Sequence, residues 1–319
     1  MEESPEKYEQ LGRNTFKLWY LVRYRSDKRM NDVKGSEEKY SVSQSYLGQK
    51  NGFLTSTAEL QAIRSEVVTF IRDNVEDTAV VAMSGGIDST LTAALAVEAI
   101  GSENVMALSL PCKKTDDEHT TDVQTIAEGL GVEYHSVSIR PLLDLFEDHI
   151  APALDPAGDR GSIGNVMARM RMMCAYYASN VGNRRVLGTS NRSELLLGYF
   201  TKHGDGAADL YPLGEFYKTE VHALADFIGL PQRIVHKEPT AGLWTGQTDE
   251  ADLGASYDVL DPILRSFVDE DADATTIADE VDVPQQFVED IIKRYYDNRH
   301  KRSMASTLEL KDRESSVST

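Results

Sequence analysis

Apolar residues recur along most of the chain at spacings that separate helix from strand. Leu60, Ile63, Val67, Phe70 and Ile71 lie three or four residues apart, one face of an amphipathic helix. Residues 77–83 (DTAVVAM) form a short apolar run of the length of a buried parallel strand. SGGIDS follows at 84–89, then an Ala/Leu-rich helical run over 90–100, with Gly101 where a helix would be capped. The order then recurs: strand at 105–110, helix at 120–129, strand at 133–139, helix at 141–150, a long helix from about 166 to 180, and strand at 184–187. This rhythm predicts an α/β fold, an open, mainly parallel sheet with helices on both faces.

Beyond the sheet, residues 218–228 place Val221, Leu224, Ala225 and Ile228 on one helical face, and Gly229-Leu230-Pro231 ends that helix. Residues 269–282 hold seven carboxylates and no base, which predicts a solvated loop with a short helix. Phe287, Ile291 and Tyr295 predict one last helix from Pro284. Residues 1–55 show only a weak apolar rhythm, in which Phe16, Leu18, Tyr20, Leu21 and Tyr24 could make one short packed element. The expected organisation is a peripheral extension (1–55), one domain (56–302) and a flexible tail (303–319).

Composition narrows the class. Of 319 residues 41% are hydrophobic and 27% charged, a folded and not a disordered balance. No apolar run reaches eighteen residues, so no membrane partner is expected. The opening MEESPEKYEQ lacks the basic-then-apolar order of a secretion signal, which leaves the cytoplasm as the expected location. Cys112 and Cys174 match no metal or redox spacing. Lys and Arg number 33 against 52 Asp and Glu, a net charge of -19 that repels phosphate backbones and argues against a nucleic-acid partner.

The chemistry concentrates at Ser84-Gly85-Gly86-Ile87-Asp88-Ser89, between a buried strand and a helix, where open α/β sheets bind ligands. Paired glycines let the backbone approach an anion, and hydroxyls of Ser84, Ser89 and Thr90 with free helix N–H groups could complete a cradle. Asp88 suits phosphate only by holding Mg²⁺ against it. The spacing is neither G-x-G-x-x-G nor G-x-x-x-x-G-K-[ST].

Strand, loop and helix together resemble the ATP-pyrophosphatase family, whose signature is SGGxDS and whose members cleave ATP between its α- and β-phosphates. The resemblance implies an adenine nucleotide alpha hydrolase-like, Rossmann-like fold. The second half carries Gly188-Thr189-Ser190-Asn191-Arg192-Ser193-Glu194, Thr201-Lys202-His203-Gly204-Asp205-Gly206, Asp209-Leu210-Tyr211-Pro212-Leu213, Lys237-Glu238-Pro239-Thr240-Ala241-Gly242-Leu243 and Gln247-Thr248-Asp249-Glu250. That order resembles the ammonia-dependent NAD⁺ synthetases from about residue 60 to 302.

The resemblance implies a C–N ligase that amidates deamido-NAD⁺ with ammonia through an acyl-adenylate, giving NAD⁺, AMP and diphosphate. ATP would bind to Ala82, Met83, Ser84, Gly85, Gly86, Ile87, Asp88, Ser89, Thr189, Lys218 and Thr240. Asp88 and Glu194 would hold Mg²⁺. Arg169, Lys202, Asp209, His300 and Lys301 would contact deamido-NAD⁺, whereas Arg171, two helical positions from Arg169, is expected to point elsewhere. Asp88, Lys218, Asp249 and Glu250 are the catalytic candidates, the last two as ammonia-binding or proton-accepting groups. Residues 111–121 and 242–254 are expected to close over the site, and a homodimer is implied. A separate glutaminase as ammonia source stays open. A GMP synthetase core leaves the TKHGDG and EPTAGL segments unexplained, a thiolating enzyme lacks its cysteines, and a nucleotide sensor has no need of both metal ligands.

The acidic surface also suits a protein kept soluble in concentrated salt, where screening shortens self-repulsion. Folding and turnover are therefore expected to improve from low to multimolar KCl; identical melting curves and rates across that series would overturn the idea.

Overall fold

The computed structural model describes residues 52–308 except 113–116, 156 and 245, and only the backbone of 117–121. Residues 1–51 of the expected extension, and the tail beyond 308, lie outside the described residues. Helix α1 (Thr57–Asn74) opens on a capping box in which Ser56 and Glu59 satisfy each other's backbone N–H groups. Four parallel strands follow, β1 (Thr78–Ala82), β2 (Val105–Ser109), β3 (Glu133–Ser136) and β4 (Arg184–Leu187), in the order β3-β2-β1-β4. Between them run α2 (Ile87–Ile100), α3 (Asp117–Leu130), α4 (Arg140–Leu145) and α5 (Arg160–Gly182).

Alternation along the strands builds two cores. Ala79 and Val81 of β1, with Val105 and Ala107 of β2, face the core shared with α1 and α2, where Ile71, Leu91 and Leu95 are fully buried. Val80, Met106, Leu108 and Val186 face the opposite core, with Met167 and Met170 of α5 and Leu143 of α4. Both faces are covered there, which is why β1 and β2 read as apolar runs. The third strand is shorter than expected, yet Val137 and Ile139 still donate to the carbonyls of Ser109 and Pro111 at 2.9 Å.

After β4 the chain is helical: α6 (Arg192–Leu197), α7 (Lys218–Phe227), α8 (Asp249–Leu253), α9 (Tyr257–Val268), α10 (Ala274–Val281), α11 (Gln285–Asp297) and α12 (Arg299–Arg302). Helices α9, α10 and α11 form a third core around Leu260, Ile263, Leu264, Ile277 and Val288. The acidic stretch 269–282 thus holds a helix as expected, but its Ile277, Ala278 and Val281 are buried rather than solvated. Helix α9 was not anticipated: Pro262 lies inside it and withholds one backbone donor, a cost that its buried apolar face outweighs. Phe53 packs edge-on against Tyr217 at 5.6 Å, and Leu54 N–H donates to Glu220 at 2.9 Å, so residues 53–54 are seated on the body. No helix among the described residues is long and apolar enough to cross a membrane.

If this helical core is as tightly packed as the sheet, Ile263→Ala lowers unfolding free energy by about 2–5 kcal/mol, measured by urea titration. Leu154→Ala, at an exposed position, shifts it by less than about 0.5 kcal/mol.

Candidate active site

The chain runs from β1 to β2 on one side and returns through α5 to β4 on the other. The crevice between the loops after β1 and β4 is therefore the switch point of the sheet. A cavity of about 720 Å³ opens there, lined by both loops and by Lys218, Pro239, Thr240 and Asp249.

The loop after β1 is held by its own hydroxyls. Gly85 has φ of 76°, a conformation that a side chain would strain. Thr90 Oγ1 and Ser89 Oγ donate to the Gly86 carbonyl at 2.8 and 3.2 Å, and Ser84 N–H donates to Ser89 Oγ at 3.2 Å. Thr90 and Ser89 are buried, so these two hydroxyls build the cradle and do not face its content. Gly86 caps α2 without a side-chain bond, leaving the first N–H groups of that helix for an anion. Ala82, Met83, Ser84, Gly86, Ile87 and Asp88 line the cavity; Gly85 and Ser89 do not, and the Gly85 carbonyl instead accepts from Lys237 Nζ at 3.2 Å.

The second loop brings Glu194 opposite Asp88. Gly188 is required because a Cβ there would lie 2.5 Å from the Tyr211 ring. Asn191 caps α6 through a second capping box with Glu194, and its side-chain amide donates to Asp88 Oδ1 at 2.9 Å. Lys218, the first residue of α7, sends its ammonium to Asp88 Oδ2 at 2.5 Å and lies 3.6 Å from Glu194 Oε1. The ammonium also sits 5.5 Å above the Tyr257 ring. Burial opposes the charge on Lys218, but Asp88 and Glu194 outweigh it and hold the group above its ordinary range. Glu194 goes the other way: burial first, then the Asp88 charge, push its carboxyl up to about 8.

Asp249 completes the cluster. It is buried, Tyr257 Oη donates to its Oδ2 at 3.0 Å, and its Oδ1 accepts no hydrogen bond among the described residues. Burial raises its carboxyl above the ordinary value. Glu250, its neighbour, is only half-buried and does not line the cavity. Thr189 and Thr240 both line it.

The dinucleotide candidates divide. Lys301 lines the cavity, its ammonium on the carbonyls of Gly198 and Phe200 at 2.7 and 3.0 Å. Arg169, Lys202 and His300 form a string beside it: Arg169 donates to the Lys202 carbonyl at 3.2 Å, and Lys202 Nζ to the His300 carbonyl at 2.5 Å. Asp209 stands apart, accepting from Val186 N–H at 2.8 Å and lining a second cavity of about 340 Å³ with Tyr176 and Arg184. Arg171, expected to point away, lines the main cavity and donates to the Leu110 carbonyl at 3.2 Å, because the turn of α5 carries Arg169 outward instead. Residues 113–116 of the first expected closing loop lie outside the described residues. The second is anchored: Gln247 accepts from Leu243 N–H at 2.7 Å and donates to Asp252 at 2.8 Å.

Sequence reasoning assigned no role to Asn191 or Tyr257. For Asn191 the signal was present, an Asn three residues before a Glu at a helix start. Tyr257 reaches the site only because α9 folds back on α6 and α7, which no local pattern announces.

A phosphate-sized cradle at a helix N-terminus, at the switch point of a parallel sheet, puts the chain among the α/β proteins that hold a nucleotide by its phosphates. The family model described as NAD synthase matches residues 60–305. An NH(3)-dependent NAD(+) synthetase of Pyrococcus furiosus is 44% identical over 244 residues, 76% of this chain and 93% of that protein. Among solved structures, an NMN synthetase from Francisella tularensis superposes with a TM-score of 0.67 at 32% identity, covering 79% of this chain and 99% of the other. An NH3-dependent NAD synthetase from Campylobacter jejuni gives 0.65 at 30% identity, over 78% and 99% of the two chains. The chain belongs to the NAD synthase family.

Folded protein binds the Glu194 proton more tightly than the unfolded chain, whose glutamate ionises near 4.5. Ligand-free stability contributed by this group is therefore present below pH 4.5 and lost as pH rises through about 8. Glu194→Gln, which cannot ionise, should gain in melting temperature over the parent as pH goes from 5 to 8 without nucleotide or metal. A constant difference across that range would show that Glu194 does not titrate there.

Proposed function

We infer that the chain catalyses the ATP-dependent amidation of deamido-NAD⁺ with ammonia, forming NAD⁺, AMP and diphosphate. The observation that carries this reading is the buried Lys218 ammonium between Asp88 and Glu194, lining the same cavity as the glycine-rich loop. A carboxylate is a poor acyl donor because oxide would have to leave. The nicotinate carboxylate therefore attacks the α-phosphorus of ATP, diphosphate departs, and ammonia displaces AMP from the acyl-adenylate.

The cradle N–H groups and Lys218 stabilise charge that develops on the departing diphosphate. Asp88 and Glu194 fit Mg²⁺: two hard oxygen donors flank one ammonium, at 2.5 and 3.6 Å, and Mg²⁺ takes one or two carboxylates plus phosphate oxygens. Mg²⁺ held there would supply further neutralisation of the phosphates. The Oδ1 of Asp249, without a partner among the described residues, can accept from ammonium, and its raised basicity suits taking the proton that ammonium must lose to become the nucleophile. Glu250, half-buried outside the cavity, is the weaker candidate for that role. Thr189 and Thr240 contact ATP. The cations Arg169, Lys202 and Lys301, with His300, offset the charge of the dinucleotide.

A homodimer is part of this reading. Met173, Tyr177 and Val181 lie four residues apart on α5 and are exposed, beside Tyr176 and the cavity that holds Asp209. A second copy covering that stripe would bring Asp209 into a shared dinucleotide site. ATP supply and the absence of a disulfide at Cys112 and Cys174 agree with the cytoplasm.

Incubation with deamido-NAD⁺, ATP, Mg²⁺ and ammonium should give NAD⁺, AMP and diphosphate in equal amounts, and glutamine should not replace ammonium. Because one structural relative is an NMN synthetase, nicotinic acid mononucleotide is assayed alongside; preference for it would reassign the substrate. Lys218→Met should lower kcat by about 10²–10³-fold. Retained turnover would remove Lys218 from the mechanism.

A further inference from the structure

Helices α6 and α7 carry the two residues that must meet, Glu194 and Lys218, and nothing in either helix alone fixes their separation. A third element ties the two together beyond the direct bond of Lys218 N–H to Ser193 Oγ. Asp261, on α9, is fully buried. Its Oδ1 accepts from Ser193 Oγ at 2.5 Å, and its Oδ2 accepts from both the N–H and the hydroxyl of Thr219, at 2.8 and 2.7 Å. Ser193 Oγ in turn accepts from the N–H of Lys218 at 2.9 Å. One carboxylate therefore grips the residue before Glu194 and the residue after Lys218, and reaches Lys218 itself through the Ser193 hydroxyl.

Among the described residues, the hydrogen-bond partners of this carboxylate are neutral donors. A buried carboxylate without a cation is costly and stabilises little by itself, so a cheaper apolar residue would serve if packing were the only need. What the carboxylate provides is direction: three donors from two helices converge on its two oxygens. Its burial is in the helical core, below the cavity, and it does not line the cavity.

We propose that Asp261 is a positioning residue for the ligation reaction, setting the distance between Glu194 and Lys218 through Ser193 and Thr219. The proposal rests on the reading of Glu194 and Lys218 as the working pair. It makes α9, the element with no motif of its own, part of the nucleotide site.

Asp261→Asn keeps the shape but turns one accepting edge into a donor, so that either Ser193 must reverse its hydroxyl or Thr219 loses its acceptor, and the carboxylate's charge is gone in both cases. Two quantities are measured in the full chain: kcat with all substrates, and Mg²⁺–ATP affinity by calorimetry without dinucleotide or ammonia. The expected result is a kcat lower by about 10²-fold with weakened nucleotide binding, the scale of a misplacement near 1 Å. Val288→Ala, a cavity in the same helical core, should lower the melting temperature without moving either quantity. Ser193→Ala, which leaves the Thr219 contacts in place, should change both in the same direction; it carries the test if Asn at 261 prevents folding. The Ser193→Ala/Asp261→Asn pair should be no slower than Asp261→Asn alone.

An Asp261→Asn protein that only melts earlier, in step with Val288→Ala, would overturn the proposal. So would fully additive effects in the pair. Glu194→Gln and Lys218→Met run beside them: if these keep normal turnover and affinity, the reading of the pair fails, whereas their loss with a normal Asp261→Asn sinks the positioning role alone.

Discussion

Lys218 shares one buried space with two carboxylates, and most of the second half of the chain is arranged to keep it there. Its ammonium is 2.5 Å from Asp88 and 3.6 Å from Glu194, on side chains from three different helices. A buried ion pair is weak evidence of stability, since desolvation cancels much of the attraction. Here the charges do not even balance, because Asp249 adds a third carboxylate near the same ammonium. Burial first, and then the neighbouring Asp88 charge, make Glu194 reluctant to ionise. Such a cluster makes sense as a receptor for more positive charge, which a nucleotide arriving with a divalent cation would bring.

The sheet supplies the geometry that this cluster needs. Strand β1 lies between β2 and β4, so the loops on its two sides diverge and leave a crevice. The glycine-rich loop is stiffened by Ser89 and Thr90 from within, and Lys237 holds it from outside through the Gly85 carbonyl. Anion-binding N–H groups are useful only if they are aimed beforehand, and these contacts do the aiming.

Basic residues, scarce in so acidic a chain, are concentrated where backbone carbonyls need partners. Arg302 donates to the carbonyls of Leu195 and Leu196, Arg294 to that of Leu197, and Lys301 to those of Gly198 and Phe200. The last helix among the described residues, α12, thus closes the end of α6, where carbonyls have no intrahelical donor. Arg294 and Lys301 also line the cavity, so the end of the described chain shapes the site as well as the fold.

Local chemistry made much of this legible in advance. Strands β1 and β2 read as apolar runs because both faces of the sheet are covered there, the helices showed their periodicity, and the loop at 84–89 carried its anion cradle in its glycines and hydroxyls. Resemblance supplied the partners of that loop, and Asp88, Glu194, Lys218 and Asp249 do meet at one cavity. Tertiary structure alone decided the rest. It turned Arg171 inward and Arg169 outward, set Asp209 in a different cavity, and left Glu250 outside the main one. It also folded α9 back so that Tyr257 and Asp261 reach residues some forty to seventy positions earlier in the chain. The physical reason is the range of the forces: caps, turns and periodicity act over a few residues, whereas the burial of α9 and the direction of a side chain on α5 depend on what the whole chain packs against them.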